Sequence, residues 1–487
     1  MDNMNQNWLH DLFINEAKAA KDYHNRAGGG SASAIIDVTV LPSEDINDEA
    51  LYRFMVDGEA KLYFHGTGEW TEVGKPASDG TFNPFKHRVE KYNSLAYAFY
   101  GKYGNDPRCD YSNENIDEYV AQCLDGIDLT NVENFSIRYM FDTNTNSLGS
   151  SGITYVPMVL RCGNHFKYAE YAMARTRITE FDDYFTAYDA CYLFYECYLM
   201  NSAVYDARDT SGFDYMFYRC SNLTDCVVKN FGQGSPTLAS GITRSSSAIY
   251  MFGDCYKLTN VSFENCGSSV TDYTGMFANC KDMVEPPTSL KTSHVKTLTE
   301  MFTGCTALKT TPAYDTSSAT SVNSMFAKCT SLEEVRSMDL RSATYVSSMF
   351  NGCSSLVTIR ALDMRSATNT SSMLSNCKSL TNVVLKNINT NLQVGSGTTY
   401  GHLLTVDSLV GLIYELRTQT SQKTLTVGTA NLAKLTDVYV KLIDITDDMR
   451  AEDDLIDEKM PFVVCESTDE GAMLIGDYVL TKNWKLA

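Results

Sequence analysis

Fifteen cysteines stand among 487 residues, and thiolates bind metals, exchange disulfides and attack electrophiles. A metal site needs ligands in close pairs such as C-x-x-C. Cys191 with Cys197 and Cys220 with Cys226 are too widely spaced for that. The bland alternative is that a free cysteine packs as a small buried hydrophobe, and that reading is expected here. The seven histidines (His10, His24, His65, His87, His165, His294 and His402) lie apart from one another. No G-x-S-x-G, P-loop, H-E-x-x-H or G-x-G-x-x-G after a strand is present, so the usual nucleophile, phosphate and zinc machinery is missing. Carboxylate pairs such as Asp182-Asp183 and Glu333-Glu334 would serve a glycosidase only if set across a cleft; most such pairs are solvated surface. The acidic run 444–458, with Asp447, Asp448, Glu452, Asp453 and Asp454, lacks the glycine-punctuated spacing of a calcium loop. The chain is expected to be no enzyme and to carry no cofactor and no metal.

The cysteines matter for another reason, which is that eight of them recur in one phrase. An apolar pair, two variable residues, Cys, two more residues and then Leu or Met form that phrase. It runs from Leu193-Phe194…Cys197…Met200 through Met216-Phe217…Cys220…Leu223 and Met251-Phe252…Cys255…Leu258. Met276, Met301, Met325, Met349 and Met373 begin the later copies. The cysteine spacings are 23, 35, 25, 25, 24, 24 and 24, and the long one contains the Gly/Ser/Pro-rich stretch 232–247, read as an inserted loop. Val346, Met349 and Phe350 fall at i, i+3, i+4, which predicts a short helix with Ser342 or Thr344 at its start. Leu356–Arg360 reads as a strand. A helix, turn and strand of ~24 residues cannot bury its own apolar face, so copies must stack on one another. The expected fold is α/β, a leucine-rich-repeat-type solenoid over 95–390. Weaker copies at Met140-Phe141, with Asn144 in the cysteine's place, and at Ala98-Phe99 extend it toward the N-terminus.

The flanks read differently. Residues 3–25 carry an apolar stripe of helical period (Trp8, Leu9, Leu12, Phe13, Ala17 and Ala20), and Gly28–Ser33 forms a flexible linker; together 1–34 make a tether. From 35 to 94 a small β module is expected, with strands over 36–40, 51–56, 60–64 and 69–73. In the closing region 391–487, 406–417 and 432–442 read as helices, 424–427 as a strand and the segment after Pro461 as β. The formal charge of −20 argues against nucleic acid, whose binding needs basic surface. No apolar run approaches the ~20 residues that span a bilayer, and no basic-then-apolar leader opens the chain. The cysteines are therefore expected to be reduced, although coil neighbours ~4.8 Å apart would be within reach of a bridge.

The Met-Phe-x-x-Cys-x-x-Leu phrase, preceded by Asp-x-x-Ser-Ala-Thr-like turns (Asp315…Ala319-Thr320, Asp339…Ala343-Thr344, Asp363…Ala367-Thr368), resembles the BspA-type leucine-rich repeat. The resemblance covers about 190–390 well and 95–190 loosely. It implies either a bacterial surface adhesin or a structural protein of phages infecting gut bacteria. The segment Val40–Ile46 with Trp70–Val73, and Thr424–Leu435, are similar to tail-associated phage proteins. That resemblance implies a tail-fibre or spike-like virion component, built in the host cytoplasm and attached to other virion proteins through the N-terminal helix and β module. It is expected to oligomerise and to meet a host glycan or protein. A bacterial cell-surface adhesin and a host-polysaccharide depolymerase are the alternatives. Leu332, Val335, Met338, Leu356, Ile359 and Leu362 should point inward, leaving Lys309, Thr310, Glu333, Glu334, Arg336, Val357, Thr358 and Arg360 on the outer strand surface. Arg336 and Arg360, one coil apart, would repel unless carboxylates or an acidic ligand compensate. A salt-bridged ladder with Glu333 or Glu334 is the structural alternative to a ligand face.

Overall fold

The computed structural model describes the strands within 35–73, scattered positions from 89 to 142, and then 152–233, 247–394 apart from Ser337, 404–442 and 462–487. The tether 1–34, Asn144, the inserted loop at 234–246 and the acidic run at 443–461 lie outside the described residues. The chain is mixed α/β with many short strands and few helices. It divides into two compact units, Met1–Tyr205 and Asp206–Ala487.

In the first unit, β1 (Ile35–Leu41), β2 (Ala50–Val56), β3 (Glu59–Gly66) and β4 (Glu69–Val73) form an antiparallel meander in that order. This is the expected β module, its strands set by alternating β-branched and aromatic residues. The irregular coils follow. Ser94, Ser136 and Tyr168 are linked by parallel bridges. The strands β5 (His165–Tyr168) and β7 (Thr186–Asp189) pair in parallel, as do β6 (Glu180–Asp182) and β8 (Ser202–Asp206). The Phe99 amide donates to the Met140 carbonyl, Phe141 to Ala172, and Met173 to Leu193. One coil therefore centres on Ala172-Met173, a copy the repeat phrase did not reveal because Thr176 replaces its cysteine.

In the second unit, parallel bridges run Gly212, Ser247, Asp272, Thr297, Ser321, Tyr345 and Asn369. Their offsets are 35, 25, 25, 24, 24 and 24 residues, the spacing of the cysteines from Cys220 onward. Coil lies on coil in register. On the other side of each coil come β9 (Asp225–Lys229) with β10 (Asn260–Glu264), and then β11 (Glu334–Val335), β12 (Thr358–Asp363) and β13 (Asn382–Lys386), all parallel. Leu332, Val335, Met338, Leu356, Ile359 and Leu362 are buried as expected.

The expected helix is absent from these coils. Across Tyr250–Cys255 the amides alternate: Tyr250, Phe252 and Asp254 donate to Thr274, Met276 and Ala278 of the next coil, while Met251, Gly253 and Cys255 donate three residues back. A helix would consume every amide internally; here half of them join the coils. Left-handed backbone makes this alternation possible. It falls just before each Met (Tyr250, Gly275, Glu300, Ser324, Ser348 and Ser372) and before most cysteines (Asp254, Asn279, Gly304, Lys328, Gly352 and Asn376). Two such residues per turn cannot belong to a right-handed helix. At Gly275 the choice is forced, since a Cβ there would sit 2.5 Å from the ring of Tyr250.

Packing follows from this geometry. Phe217, Phe252, Phe277, Phe302, Phe326 and Phe350 are buried and stacked, with successive centroids 5.2, 5.6, 5.6, 5.7 and 5.8 Å apart and planes within 12°. Beside them the Cys280, Cys305, Cys329, Cys353 and Cys377 thiols donate to the carbonyls of Phe252, Phe277, Phe302, Phe326 and Phe350, four at 3.1 Å and Cys280 at 3.2 Å. Each thiol satisfies a buried carbonyl of the preceding coil. The described cysteines are all free.

The closing region also differs from expectation. The helix α1 (Val406–Tyr414) forms, capped by Thr405 accepting from the Ser408 amide. Residues 432–442, expected as one helix, are split. The turn α2 (Thr429–Leu432) and a 3-10 turn (Ala433–Leu435) lead into β16 (Tyr439–Leu442). The segment after Pro461 is not all β, since α3 (Ile475–Thr481) sits between β18 (Met473–Leu474) and β19 (Trp484–Leu486). In both cases short alternations were read without the partner strand: β16 pairs with β17 (Phe462–Cys465) and β18, and β19 joins β15 (Lys423–Thr426), itself paired to β14 (Leu392–Gln393).

Candidate recognition face

The outward strand surface of the second unit is built from rows one coil apart. Thr310 bridges Glu334, which pairs with Thr358 and then Asn382. Beside that row the amide of Glu333 donates to Lys309, Val357 to Glu333, and Thr381 to Val357. All seven expected ligand-face residues therefore lie on one side of the stack. Lys309, Glu333, Arg336 and Arg360 are exposed, and Thr310, Glu334 and Thr358 are half-buried. Val357 is exposed among them.

Arg360 forms an ion pair with Glu334 of the preceding coil, both side chains substantially in solvent. This is one rung of the salt-bridged ladder that the sequence left open against a ligand site, and it offsets the charge of Arg360 alone. Such an exposed pair contributes less than about 1 kcal/mol. It holds Arg360 in place but leaves its remaining N–H donors for a ligand. The Arg336 amide donates to the hydroxyl of Thr311 at 2.9 Å, fixing the backbone from which its side chain projects.

A groove that the sequence reading missed lies nearer the N-terminus of the same unit. It holds about 580 Å³ and is lined by β9, β10 and the segment Asp282–Thr288. Pro286 and Pro287 lack the amides that would continue the parallel ladder, so no strand follows β10 in that coil and the surface opens. Asp225, Asp282 and Glu285 are exposed around it, with Val284 47% exposed. The Thr224 hydroxyl and the Asn260 amide, the latter at 2.8 Å, hold the Asp225 carboxyl below the usual carboxylate range. The Pro-Pro pair was the available signal. The coil that closes this acidic groove is the neighbour of the one that begins the row from Lys309 to Arg360, since the Ala307 amide donates to the Lys281 carbonyl.

In the first unit the residues before each apolar pair are tyrosines. Tyr139, Tyr171 and Tyr192 stack at 4.7 and 4.4 Å with nearly parallel rings. Ion pairs of Arg138 with Glu170 and of Arg175 with Asp142 and Glu196 flank them. Burial, offset by Arg138, raises the Glu170 carboxyl. With the ring faces turned on each other, these tyrosines act first as coil-to-coil cement. Among the described residues no group of three His, Cys, Asp or Glu side chains could hold a metal ion, and no helix is long and apolar enough to cross a membrane.

Two comparisons with known proteins bear on the repeats. Residues 271–388 match the family described as "Mycoplasma protein of unknown function, DUF285". A crystal structure of a leucine rich cell surface protein from Faecalibacterium prausnitzii A2-165 is 17% identical, over 46% of this chain and 79% of that one, with a TM-score of 0.17. No curated protein matches. Neither match supports the virion reading or the phage resemblance of the flanks.

Proposed function

We propose that the chain is a non-enzymatic recognition protein of the bacterial cell surface, an adhesin-like solenoid whose outward strand rows contact a host glycan or protein. The observation that carries this reading is the register itself. Lys309, Glu333 and Val357 in one row, and Thr310, Glu334 and Thr358 in the next, put charged, hydroxyl and apolar groups at fixed intervals on a backbone stiffened by inter-coil hydrogen bonds. Rigid repeat surfaces of this kind bind extended partners without losing much conformational freedom. The resemblance of the repeat phrase to the BspA type supports the surface location.

The test is binding of the full chain to immobilised host-surface glycans and matrix proteins. The double variant Arg336→Glu and Arg360→Glu should bind at least about tenfold more weakly. Its melting temperature should move little, because only one exposed ion pair is lost. Undiminished binding by the double variant would remove this face from recognition.

A further inference from the structure

At the C-terminal ends of β9 and β10 the chain turns at Asn230 and Asn265, whose φ values are 55° and 51°. A second cavity of about 580 Å³ opens there, lined by Arg208, Asp209, Asn230, Gln233, Asn265 and Lys291, with Cys266. It lies at the opposite end of these strands from Asp225 and Asn260, which line the acidic groove.

Its polar groups are held from behind. Asp206, 2% exposed, accepts from the Arg208 amide at 2.9 Å, from Arg208 Nε at 2.6 Å and from Asn230 Nδ2 at 2.8 Å. One buried carboxylate thus fixes a guanidinium and a carboxamide together. Asn265 Nδ2 approaches Asn230 Oδ1 at 3.5 Å, and the Gln233 side chain donates to the Asn265 carbonyl. On the other wall, the hydroxyl of the fully buried Tyr273 donates to the Lys291 carbonyl at 3.1 Å. Beneath, the backbone is packed so closely that a Cβ on Gly267 would lie 2.1 Å from the Gly232 carbonyl oxygen.

Charge narrows the ligand. Arg208 is matched by Asp206, and the lining sets one carboxylate, Asp209, against one ammonium, Lys291. A pocket balanced in this way has no excess attraction for an anion or a cation. It does offer donors and acceptors in equal measure: carboxamides supply both in one plane, the carboxylate accepts and the ammonium donates. A hydroxyl group, donor and acceptor at once, uses all of these. We propose that this pocket binds a neutral saccharide of two or three units, a size its volume accommodates. The assignment does not depend on adhesion through the outward strand rows.

Calorimetry on the full chain with maltotriose, mannotriose and chitotriose tests it, with trigalacturonate as the charged counterpart. At least one neutral trisaccharide should bind in the millimolar range, more tightly than trigalacturonate. Lys291→Met and Asp209→Asn should each weaken it about tenfold or more. Both leave the buried Asp206 network intact, and asparagine tolerates the left-handed backbone of residue 209 (φ 61°), so unchanged melting should accompany the loss. Three results would overturn the proposal: no binding of any neutral trisaccharide at about 10 mM, tighter binding of trigalacturonate, or full-affinity binding by both variants.

Discussion

At the scale of single residues, the cysteines show how a reactive side chain becomes structural. Burial pushes the thiols of Cys305 and Cys377 up to about 12 from an ordinary value near 9. Cys280, Cys329 and Cys353 are raised in the same direction by the same cause. These thiols should stay protonated at pH 8.5 and resist alkylation in the native protein. Cys162 and Cys465, only half-buried, should be modified first among the described cysteines. Mass spectrometry after a brief iodoacetamide pulse would check this, and rapid native labelling of Cys329 or Cys353 would contradict the ladder. The same shifts set a pH dependence. The folded thiol keeps its proton where the unfolded one loses it, so its contribution is whole below pH 9 and is lost as pH rises toward 12. Urea midpoints should therefore fall steadily above pH 9. The thiol ladder was legible in the sequence because eight cysteines shared one phrase. The pocket around Asp206 was not, since its members come from four coils and no motif joins them.

At the scale of the element, the phrase was read correctly and its conformation was not. Val346, Met349 and Phe350 do share a buried face, which is what the i, i+3, i+4 spacing encodes. A run of tight turns three residues long satisfies that spacing as well as a helix does. The distinction lay in Ser348 and Gly352, whose left-handed backbone is invisible to hydrophobic periodicity. The inward residues of the strands were legible because the apolar positions Leu332, Val335 and Met338 recur 24 residues later as Leu356, Ile359 and Leu362, all buried. The energetic weight of the coil rests on its ring. Phe302 is stacked on both sides, by Phe277 and by Phe326, whereas Phe350 is stacked by Phe326 alone and is followed by Leu374. Truncation of either to Ala should cost roughly 3–5 kcal/mol, with Phe302→Ala the more damaging because its cavity has aromatic walls on two sides. Chemical denaturation of the two variants measures the difference, and equal midpoints would show that end and interior rings bear the same load.

At the scale of the whole molecule, the second unit behaves as a near one-dimensional array in which coils bond chiefly their neighbours, with the Tyr250 hydroxyl reaching past Gly275 to Glu300 two coils on. The array therefore has an arithmetic that a globular core lacks. Removing residues 325–348 joins Ser324 to Met349 and takes out one full period. Ser324 takes the place of the excised Ser348 and shares its left-handed backbone, with φ of 53° against 54°. After the excision the Ser324 amide can reach the Ser371 carbonyl that Ser348 uses now, and Phe302 can stack on Phe350. The shortened protein should fold, with unchanged far-ultraviolet circular dichroism per residue. Its urea m-value should be slightly smaller, because less surface is exposed on unfolding. Removing only residues 325–336 leaves half a period. The ring of one coil then faces the strand of the next, and inter-coil amides lose their carbonyls. Each buried amide left without a partner costs about 1–3 kcal/mol, so several together exceed the 5–15 kcal/mol by which domains are ordinarily stable. That variant should lose its cooperative transition. Equal tolerance of both excisions would mean that the coils are held by something other than their register.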